Sequence, residues 1–412
     1  MPMRPTDFHE IIRRFRRTTA WNDQRPLAMA DAGIDIFHLS YRSANAHFLL
    51  GGTSYRCLEH GVTFPAGPAV TESSDQTIGE NILFRYPLLR EHAPGGPPRK
   101  HTRVLILLHG LNERSFSKYI PWACRFWEET RVPVLMFPMT FHINRVLPAW
   151  GAEQRGSYAG RVQLPANENS HRFNAIISER LSAHPERFYW GAEQTYWDLV
   201  DLARAVRSGH HPHFAAGARV DMLGFSAGGY LPLLLMLHNP EDLFGDSRCV
   251  IFASGAPLRD LNLSSPLIMD HLSEVAMMKL YVKYTDRMAS DRLRHWLDHH
   301  AEGMWVNSYC GLVPGRTRLE PRLKELAPRL LGIANSNDTV VPAGGMMNGL
   351  QGIRRETGVR IEELPLGIHE NPFTTASYDL RDRSAFLECL NRERFGELFE
   401  TFIGLVAGHC TP

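Results

Sequence analysis

The serine at position 226 stands in a pattern that suits nucleophilic chemistry. It is the central residue of a Gly-Phe-Ser-Ala-Gly motif, which follows a short apolar run at residues 220–223 and precedes a second apolar stretch at residues 230–238. The lengths and compositions of these runs predict a strand, a sharp turn and a helix. The glycines let the turn pass close to its neighbours, and the turn places the hydroxyl of Ser226 beside the N-terminus of the helix. A glycine-rich turn with an inert serine would give the same pattern.

Two residues farther along the chain supply the other groups that a nucleophilic serine requires. A serine hydroxyl is a weak nucleophile at pH 7 until a histidine base, itself oriented by a carboxylate, activates it. Asp338 follows an apolar run at residues 330–334, and His369 follows another at residues 361–364. Both are therefore predicted in loops just after strands, in the order Ser…Asp…His. Three alternatives stay open: Asp338 as a turn-forming residue, Asp260 as the acid, and His369 as an ordinary surface-loop histidine.

The elements that must position these residues alternate from about residue 103 to the C-terminus. Apolar runs of strand length lie at residues 104–108, 132–138, 220–223, 249–254, 330–334 and 361–364. Helical spacing is found at residues 193–207, 230–238, 268–284, 289–300 and 386–406. This alternation predicts an α/β protein with a mainly parallel sheet and helices on both faces. Ligands of such sheets bind beyond the carboxyl ends of the strands, where all three candidate residues are predicted.

With these motifs, the chain from about residue 103 resembles the α/β-hydrolase superfamily. The resemblance is carried by His109-Gly110 after the first core strand, the glycine–serine motif at residues 224–228, residues 337–342, and His369. The segments HGLNERS and FHINR further resemble an uncharacterised group of bacterial α/β-hydrolase-like proteins. The resemblance implies the α/β-hydrolase fold, with a mainly parallel central sheet, helices on both faces and a cap built from insertions.

The resemblance also implies roles for individual residues. Ser226 would be the nucleophile, His369 the general base and Asp338 the residue that orients the base, while the backbone N–H groups of Leu111 and Ala227 would form an oxyanion hole. The implied activity is that of a serine hydrolase, which cleaves a carboxylic ester or related small acyl compound through an acyl-serine intermediate without a cofactor. Two alternatives remain: acyl transfer to an alcohol or amine, and a non-catalytic binding protein of the same fold.

A further set of candidates for substrate binding follows the strand predicted at residues 132–138. Within the segment FHINR these are His142, Asn144 and Arg145. Arg145 would bind a substrate carboxylate or phosphate, or it would pair with a carboxylate of the protein. His109 is expected mainly to hold the oxyanion loop and is included as a fourth candidate.

The remaining segments predict how the chain is divided. Residues 1–100 are expected to form an N-terminal extension with early strands of the sheet at residues 62–64 and 82–86, and residues 101–412 the α/β-hydrolase core. Insertions at about residues 140–192 and 256–325 are predicted to build the cap. The basic N-terminus predicts an amphipathic helix from about Thr6, packed on the body or, as an alternative, bound at a membrane surface.

Composition restricts the partners. The formal net charge is +1, which gives no argument for a nucleic-acid partner, and no apolar run is long enough for a membrane span. The six cysteines are scattered without a C-x-x-C pair and the N-terminus lacks a secretory signal, which predicts a cytoplasmic protein without a zinc site or disulfides. The histidines at residues 210–213 are predicted in a solvated turn and those at 299–300 at an exposed helix end, rather than on a metal. The sequence does not indicate the oligomeric state.

Overall fold

The computed structural model describes residues 10–13, 15, 27–29, 33–49, 54–66, 75–92, 99–285, 290–310, 313–352, 354–373 and 384–411. Within these ranges the strands are β1 (Leu27–Met29), β2 (Ile34–Arg42), β3 (Tyr55–Arg56), β4 (Thr63–Phe64), β5 (Leu83–Glu91), β6 (His101–Leu108), β7 (Val134–Phe137), β8 (Phe214–Phe225), β9 (Cys249–Phe252), β10 (Leu330–Asn335) and β11 (Arg360–Leu364).

The strands form one nine-stranded sheet with the order β1-β2-β5-β7-β6-β8-β9-β10-β11, and a separate hairpin of β3 and β4. From β7 to β11 all neighbouring strands are parallel, whereas β5 runs antiparallel to both β2 and β7. Without β1, the other eight strands have the order and the single antiparallel strand of the α/β-hydrolase fold. The predicted fold class is therefore confirmed.

The α-helices of the described residues lie mainly between these strands. Besides the helical residues 10–13 and 15 near the N-terminus, they are α1 (Gly79–Ile82), α2 (Ile120–Thr130), α3 (Ala149–Arg161), α4 (Ala175–Ala183), α5 (Arg187–Arg207), α6 (Tyr230–His238), α7 (His271–Thr285), α8 (Asp291–His299), α9 (Ala301–Cys310), α10 (Val313–Leu326), α11 (Ala343–Leu350) and α12 (Ser384–Cys410). No helix in the described part of the chain is long and apolar enough to cross a membrane.

Two hydrophobic clusters cover the two faces of the sheet. Helices α2 and α12 contribute to the first cluster, whereas α5, α6, α10 and α11 contribute to the second. Strands β7, β9 and β10 are buried along their whole length, as is the C-terminal half of β8. Burial on both faces explains why these strands are continuous apolar runs in the sequence. By contrast β11, at the edge of the sheet, is mostly half-buried or exposed.

The register brings the ends of the central strands to one edge. Leu108, the last residue of β6, pairs with Gly224 of β8, which also pairs with Ile251 of β9. At the far side Asn335, the last residue of β10, pairs with Leu364, the last residue of β11. The loops that follow β6, β8, β10 and β11 therefore begin at the same edge of the sheet, where a ligand site is expected.

The N-terminal hundred residues correct one prediction and extend another. The strand predicted at residues 62–64 corresponds to β4, which pairs only with β3 and lies outside the main sheet. The strand predicted at residues 82–86 continues to residue 91 as β5, and it pairs along its whole length with β2, which was not predicted. In the N-terminal helix, Ile12 and Phe15 are buried in the cluster that contains α2 and α12, as in the first of the two alternatives. The predicted start of this helix at Thr6 lies outside the described residues.

Buried ion pairs connect the two predicted insertions to each other and to the rest of the chain. The first insertion contains α3 and α4, and the second contains α7, α8, α9 and most of α10. Arg180 and Arg187, from the first insertion, bind the two carboxylate oxygens of Asp75 at 2.9 and 2.6 Å. Between the insertions, the guanidinium of Arg161 donates to a carboxylate oxygen of Asp270 at 2.7 Å. These pairs connect the N-terminal extension and both insertions.

The prediction of a solvated turn at residues 210–213 is wrong for two of its histidines. His211 and His213 are buried beneath β5, where the Tyr86 hydroxyl lies 2.9 Å from His211 Nε2 and Arg90 donates to His213 Nδ1 at 2.9 Å. Burial is the main cause that lowers the pKa of His211 to about 3 and that of His213 to about 4. Both rings are therefore neutral parts of the core at neutral pH.

Candidate active site

Ser226 occupies a strained turn at the end of β8. Its backbone φ is 53°, in the left-handed region that residues other than glycine rarely adopt. β8 ends at Phe225 and α6 begins at Tyr230, so the serine lies at the apex between strand and helix. A backbone strain of this kind persists only where its surroundings enforce it, and it is concentrated at functional sites.

The glycines of the motif are required by close backbone contacts. A Cβ atom on Gly224 would lie 2.4 Å from the carbonyl oxygen of Gly228. One on Gly228 would lie 2.3 Å from the carbonyl oxygen of His109, in the loop after β6. Both distances are far inside van der Waals contact and involve backbone atoms that cannot turn away, so the turn and the loop after β6 fit together only with glycine.

We expect Gly228→Ala to lower the free energy of unfolding by about 3 kcal/mol, because the new methyl group overlaps the backbone at His109. Gly344→Ala is the matched control. Gly344 lies in α11 with no atom within 4 Å of a Cβ, and alanine there should stabilise the protein by up to about 1 kcal/mol. Urea unfolding of both variants checks the pair. Equal stability of Gly228→Ala and the parent protein would contradict the packing of the turn.

Ser226, His369 and Asp338 form a continuous chain of contacts. His369 Nε2 lies 2.7 Å from Ser226 Oγ, and His369 Nδ1 lies 2.6 Å from Asp338 Oδ2. All three side chains are buried, and the Phe225 ring stacks on the imidazole with the centroids 5.4 Å apart. If the hydroxyl donates to Nε2, the proton on Nδ1 points at the carboxylate, so the imidazole is in the tautomer that accepts the serine proton.

Backbone groups fix the orientation of the Asp338 carboxylate. Its Oδ1 accepts hydrogen bonds from the N–H groups of Val340 and Val341 at 2.8 and 2.9 Å, which leaves Oδ2 facing His369. Asp260, the alternative acid, instead accepts a hydrogen bond from Asn348 Nδ2 at 3.0 Å. Asp338 is therefore the acid in contact with the histidine.

Two asparagines that the sequence analysis did not identify hold the loop of His369. The Asn335 side chain donates to the Gly367 carbonyl at 2.6 Å and accepts from the Leu366 N–H at 3.0 Å. Asn337 Nδ2 donates to the Leu366 carbonyl at 2.8 Å. Because these residues precede Asp338 in the same loop, the loop that carries Asp338 also positions the loop that carries His369.

The loop after β6 is held by His109 and Tyr119. His109 Nε2 accepts the Met139 N–H at 2.9 Å, and its Nδ1 lies 2.8 Å from the Gly110 carbonyl. Burial is the main cause that lowers the pKa of His109 well below its usual value, so the ring is neutral. The Tyr119 hydroxyl accepts the Gly110 N–H and donates to Glu113, both at 3.0 Å. Both ring nitrogens of His109 thus contact the backbone of neighbouring loops.

The residues predicted for the oxyanion hole lie beside the serine. A Cβ on Gly110 would lie 3.3 Å from the Ser226 Cβ, which places the loop after β6 directly against the turn. Leu111 and Ala227, which follow Gly110 and Ser226, both line a cavity of about 360 Å³. The wall of this cavity is largely apolar and includes side chains from α6 and from both insertions: Leu231, Leu234, Ile177, Leu181, Leu258 and Trp305.

Of the three candidates in the segment FHINR, one faces the cavity and two do not. His142 lines the cavity, with Nδ1 2.8 Å from the Thr140 carbonyl. Its Nε2 is buried and has no hydrogen-bond partner among the described residues. Burial lowers the pKa of His142 to about 4, so this nitrogen is an acceptor at neutral pH.

Asn144 and Arg145 correct the prediction that they bind substrate. Arg145 is 0% exposed and forms an ion pair with Asp198 at 2.9 Å, so its charge is already compensated inside the protein. Asn144 donates to the Arg85 carbonyl at 2.9 Å. Neither residue lines the cavity beside Ser226. For Arg145, the alternative of a pairing within the protein is therefore the one observed.

The sequence of the chain matches a known protein family, and its structure is similar to several solved structures. The profile of one family, described as "Family of unknown function (DUF6051)", matches residues 7–393. No curated protein is significantly similar to the chain in sequence.

Among solved structures, the chain is similar to a thermostable esterase from Pseudomonas putida, with 12% identity, a TM-score of 0.40, and 97% of this chain and 90% of that chain covered. It is also similar to the esterase Est22, with 10% identity, a TM-score of 0.43 and coverage of 92% and 81%. One of two fungal esterases from Rhizomucor miehei gives 12% identity, a TM-score of 0.37 and coverage of 96% and 92%. Likenesses this distant carry no conclusion about activity.

Proposed function

We propose that this chain, which belongs to the DUF6051 family of unknown function, is a serine hydrolase that cleaves a carboxylic ester or a related acyl compound. The observation that carries the proposal is the unbroken series of contacts from Asp338 through His369 to Ser226, at 2.6 and 2.7 Å. A nucleophile, a base and an orienting acid within hydrogen-bond reach are the minimum machinery of acyl transfer through serine.

In the proposed reaction, Ser226 Oγ attacks the carbonyl carbon while its proton passes to His369 Nε2. The negative charge that develops on the carbonyl oxygen would be stabilised by the backbone N–H groups of Leu111 and Ala227, an effect worth about 3 kcal/mol for a single donor. His369 then gives the proton to the leaving group, and an acyl-serine remains. Water, activated by the same histidine, releases the acid and restores the serine.

The cavity indicates the kind of acyl group. Its wall is largely apolar and begins at Leu111 and Ala227, so an acyl chain bound there would bury hydrocarbon next to the reacting carbonyl. We propose that the two insertions act as a cap, since both contribute side chains to this wall. His142 Nε2 is a buried acceptor in the cavity and would bind a hydroxyl or amide N–H of the substrate.

Labelling with a fluorophosphonate probe tests the proposal. Such probes react with a serine that a neighbouring base activates, so we expect one label per chain, lost completely in Ser226→Ala. Ser336→Ala is the matched control because Ser336 is an exposed serine two residues before Asp338, and labelling there should be unchanged. A folded protein that takes up no label would overturn the proposal and favour a non-catalytic binding protein.

A further inference from the structure

Four potential metal ligands converge where the β3–β4 hairpin meets the end of α8. They are Cys57 and His60 from the hairpin, and His295 and His300 from α8 and the residue that follows it. One ligand atom from each residue can be chosen so that all four lie within 4.8 Å of one another. None of these residues belongs to the site around Ser226.

The hairpin turn presents its two ligands on the same side. Cys57 Sγ lies 3.4 Å from His60 Nδ1 and also accepts the backbone N–H of His60 at 3.4 Å. Gly61, with φ of 69°, closes the turn by donating its N–H to the Cys57 carbonyl at 2.8 Å. The sulfur of Cys57 thus faces the imidazole of His60 across the turn, and the thiolate is the form of cysteine that binds metals.

The histidines of the helix complete the set. His300 Nε2 lies 3.3 Å from Cys57 Sγ, while its Nδ1 faces the carboxylates of Glu59 and Glu302 at 3.2 and 3.5 Å. In a metal-binding histidine, the ring nitrogen that does not bind the ion commonly donates its hydrogen bond to a carboxylate. The Nε2 of His295 is buried and makes no hydrogen bond within the described ranges. His295 thus brings a ring nitrogen without a hydrogen-bond partner to a cluster of one thiol and two further imidazoles. This arrangement indicates a metal ion bound by all four side chains.

We propose that Cys57, His60, His295 and His300 bind one Zn²⁺ ion. In a tetrahedral zinc site with bonds of about 2.3 Å to sulfur and about 2.0 Å to nitrogen, the sulfur and a nitrogen are about 3.5 Å apart. The observed separations of 3.3 and 3.4 Å are close to this value. Binding would release the thiol proton of Cys57 to solvent and involve no change of oxidation state.

The role of this ion would be structural. Four protein ligands fill the tetrahedral shell, so no position remains for a substrate or a reactive water. Among the described residues, the core of the hairpin consists of three buried side chains, Tyr55, Cys57 and Phe64, and a two-stranded hairpin is marginally stable by itself. The ion would fasten this hairpin to α8, where Arg292 already packs 3.7 Å from the centre of the Tyr55 ring.

Metal analysis of the full chain tests the proposal. Protein purified without chelators from zinc-supplemented cells should contain about one zinc per chain. Cys57→Ser and His300→Ala should each lose most of it. His299→Ala is the matched control, because it removes an exposed imidazole of the same helix outside the four ligands, and it should keep the zinc. A metal-free parent protein, or equal loss in all three variants, would overturn the assignment.

A spectroscopic experiment keeps the test independent of how well the variants fold. The chelated parent protein, confirmed to be folded by circular dichroism, is titrated with Co²⁺ alone. We expect one equivalent to bind with the visible spectrum of tetrahedral cobalt and a thiolate-to-cobalt charge-transfer band, because one ligand is Cys57. Weak octahedral absorption without that band would exclude the Cys57 site. Neither readout depends on ester hydrolysis, so the outcome is separate from that of the proposed function.

Discussion

Replacement of Ser226 by alanine is expected to lower kcat for a p-nitrophenyl ester by about 10⁵-fold, since it removes the atom that attacks the carbonyl. Alanine at position 226 would adopt the same positive φ as serine, so the backbone strain should be unchanged. The free energy of unfolding should therefore change by less than about 1 kcal/mol. Steady-state kinetics and urea unfolding measure the two quantities. Undiminished turnover in a folded Ser226→Ala would refute the proposed nucleophile.

The same kinetics test whether Ser226 and His369 act as one unit. His369→Ala should lose about as much activity as Ser226→Ala, and the double variant should be no slower than either single variant. The reason is that the hydroxyl and the imidazole serve a single proton transfer across the 2.7 Å contact between them. If the fold-loss in kcat of the double variant equalled the product of the two single losses, the two residues would have separate functions.

Asp338→Asn is expected to lower kcat by about 10⁴-fold with little effect on KM. The Oδ1 of the new side chain can still accept the N–H groups of Val340 and Val341, which directs its NH₂ group at His369 Nδ1. The imidazole must then accept at Nδ1 and carry its proton on Nε2. In this tautomer it cannot take the proton of the serine, although the geometry is preserved.

Asp260→Asn is the control for this variant. Asp260 contacts Asn348 and Arg259 rather than His369, so the Asp260→Asn variant should retain nearly full activity. The pair is measured as kcat and KM on the same ester. A larger loss in Asp260→Asn than in Asp338→Asn would transfer the orienting role to the alternative acid.

The sequence predicted those parts of the fold and the site that depend on local patterns. The strands of the sheet interior are recognisable because both faces are buried and every residue is apolar, as in β9. β2 was not predicted, because it lies near the edge of the sheet and is not a continuous apolar run. Its sequence, IDIFHLSYR, has the polar residues Asp35 and His38 between apolar ones. Asp35 contacts His92 at the end of the neighbouring strand, at 2.8 Å, a pairing that spacing along the chain does not indicate.

The residues that the sequence analysis missed act through contacts between distant segments. Tyr119 immediately precedes α2, and its role at Gly110 arises only when this part of the chain folds back on the loop after β6. The burial of Arg145 depends on Asp198, fifty-three residues later, and could not be distinguished from a substrate-binding position by its local sequence. The proposed zinc ligands were missed for the same reason, because Cys57 and His300 are 243 residues apart in the sequence.

The edge position of β11 has a consequence for the histidine that follows it. Within the part of the chain that the structure describes, β11 pairs with β10 alone, and it is the least enclosed of the parallel strands. Opening of this border strand requires far less disruption than opening of the interior, and it would withdraw His369 while Ser226 stays in place. His369 therefore follows an edge strand of the sheet, whereas Ser226 follows β8, which is paired on both sides by β6 and β9.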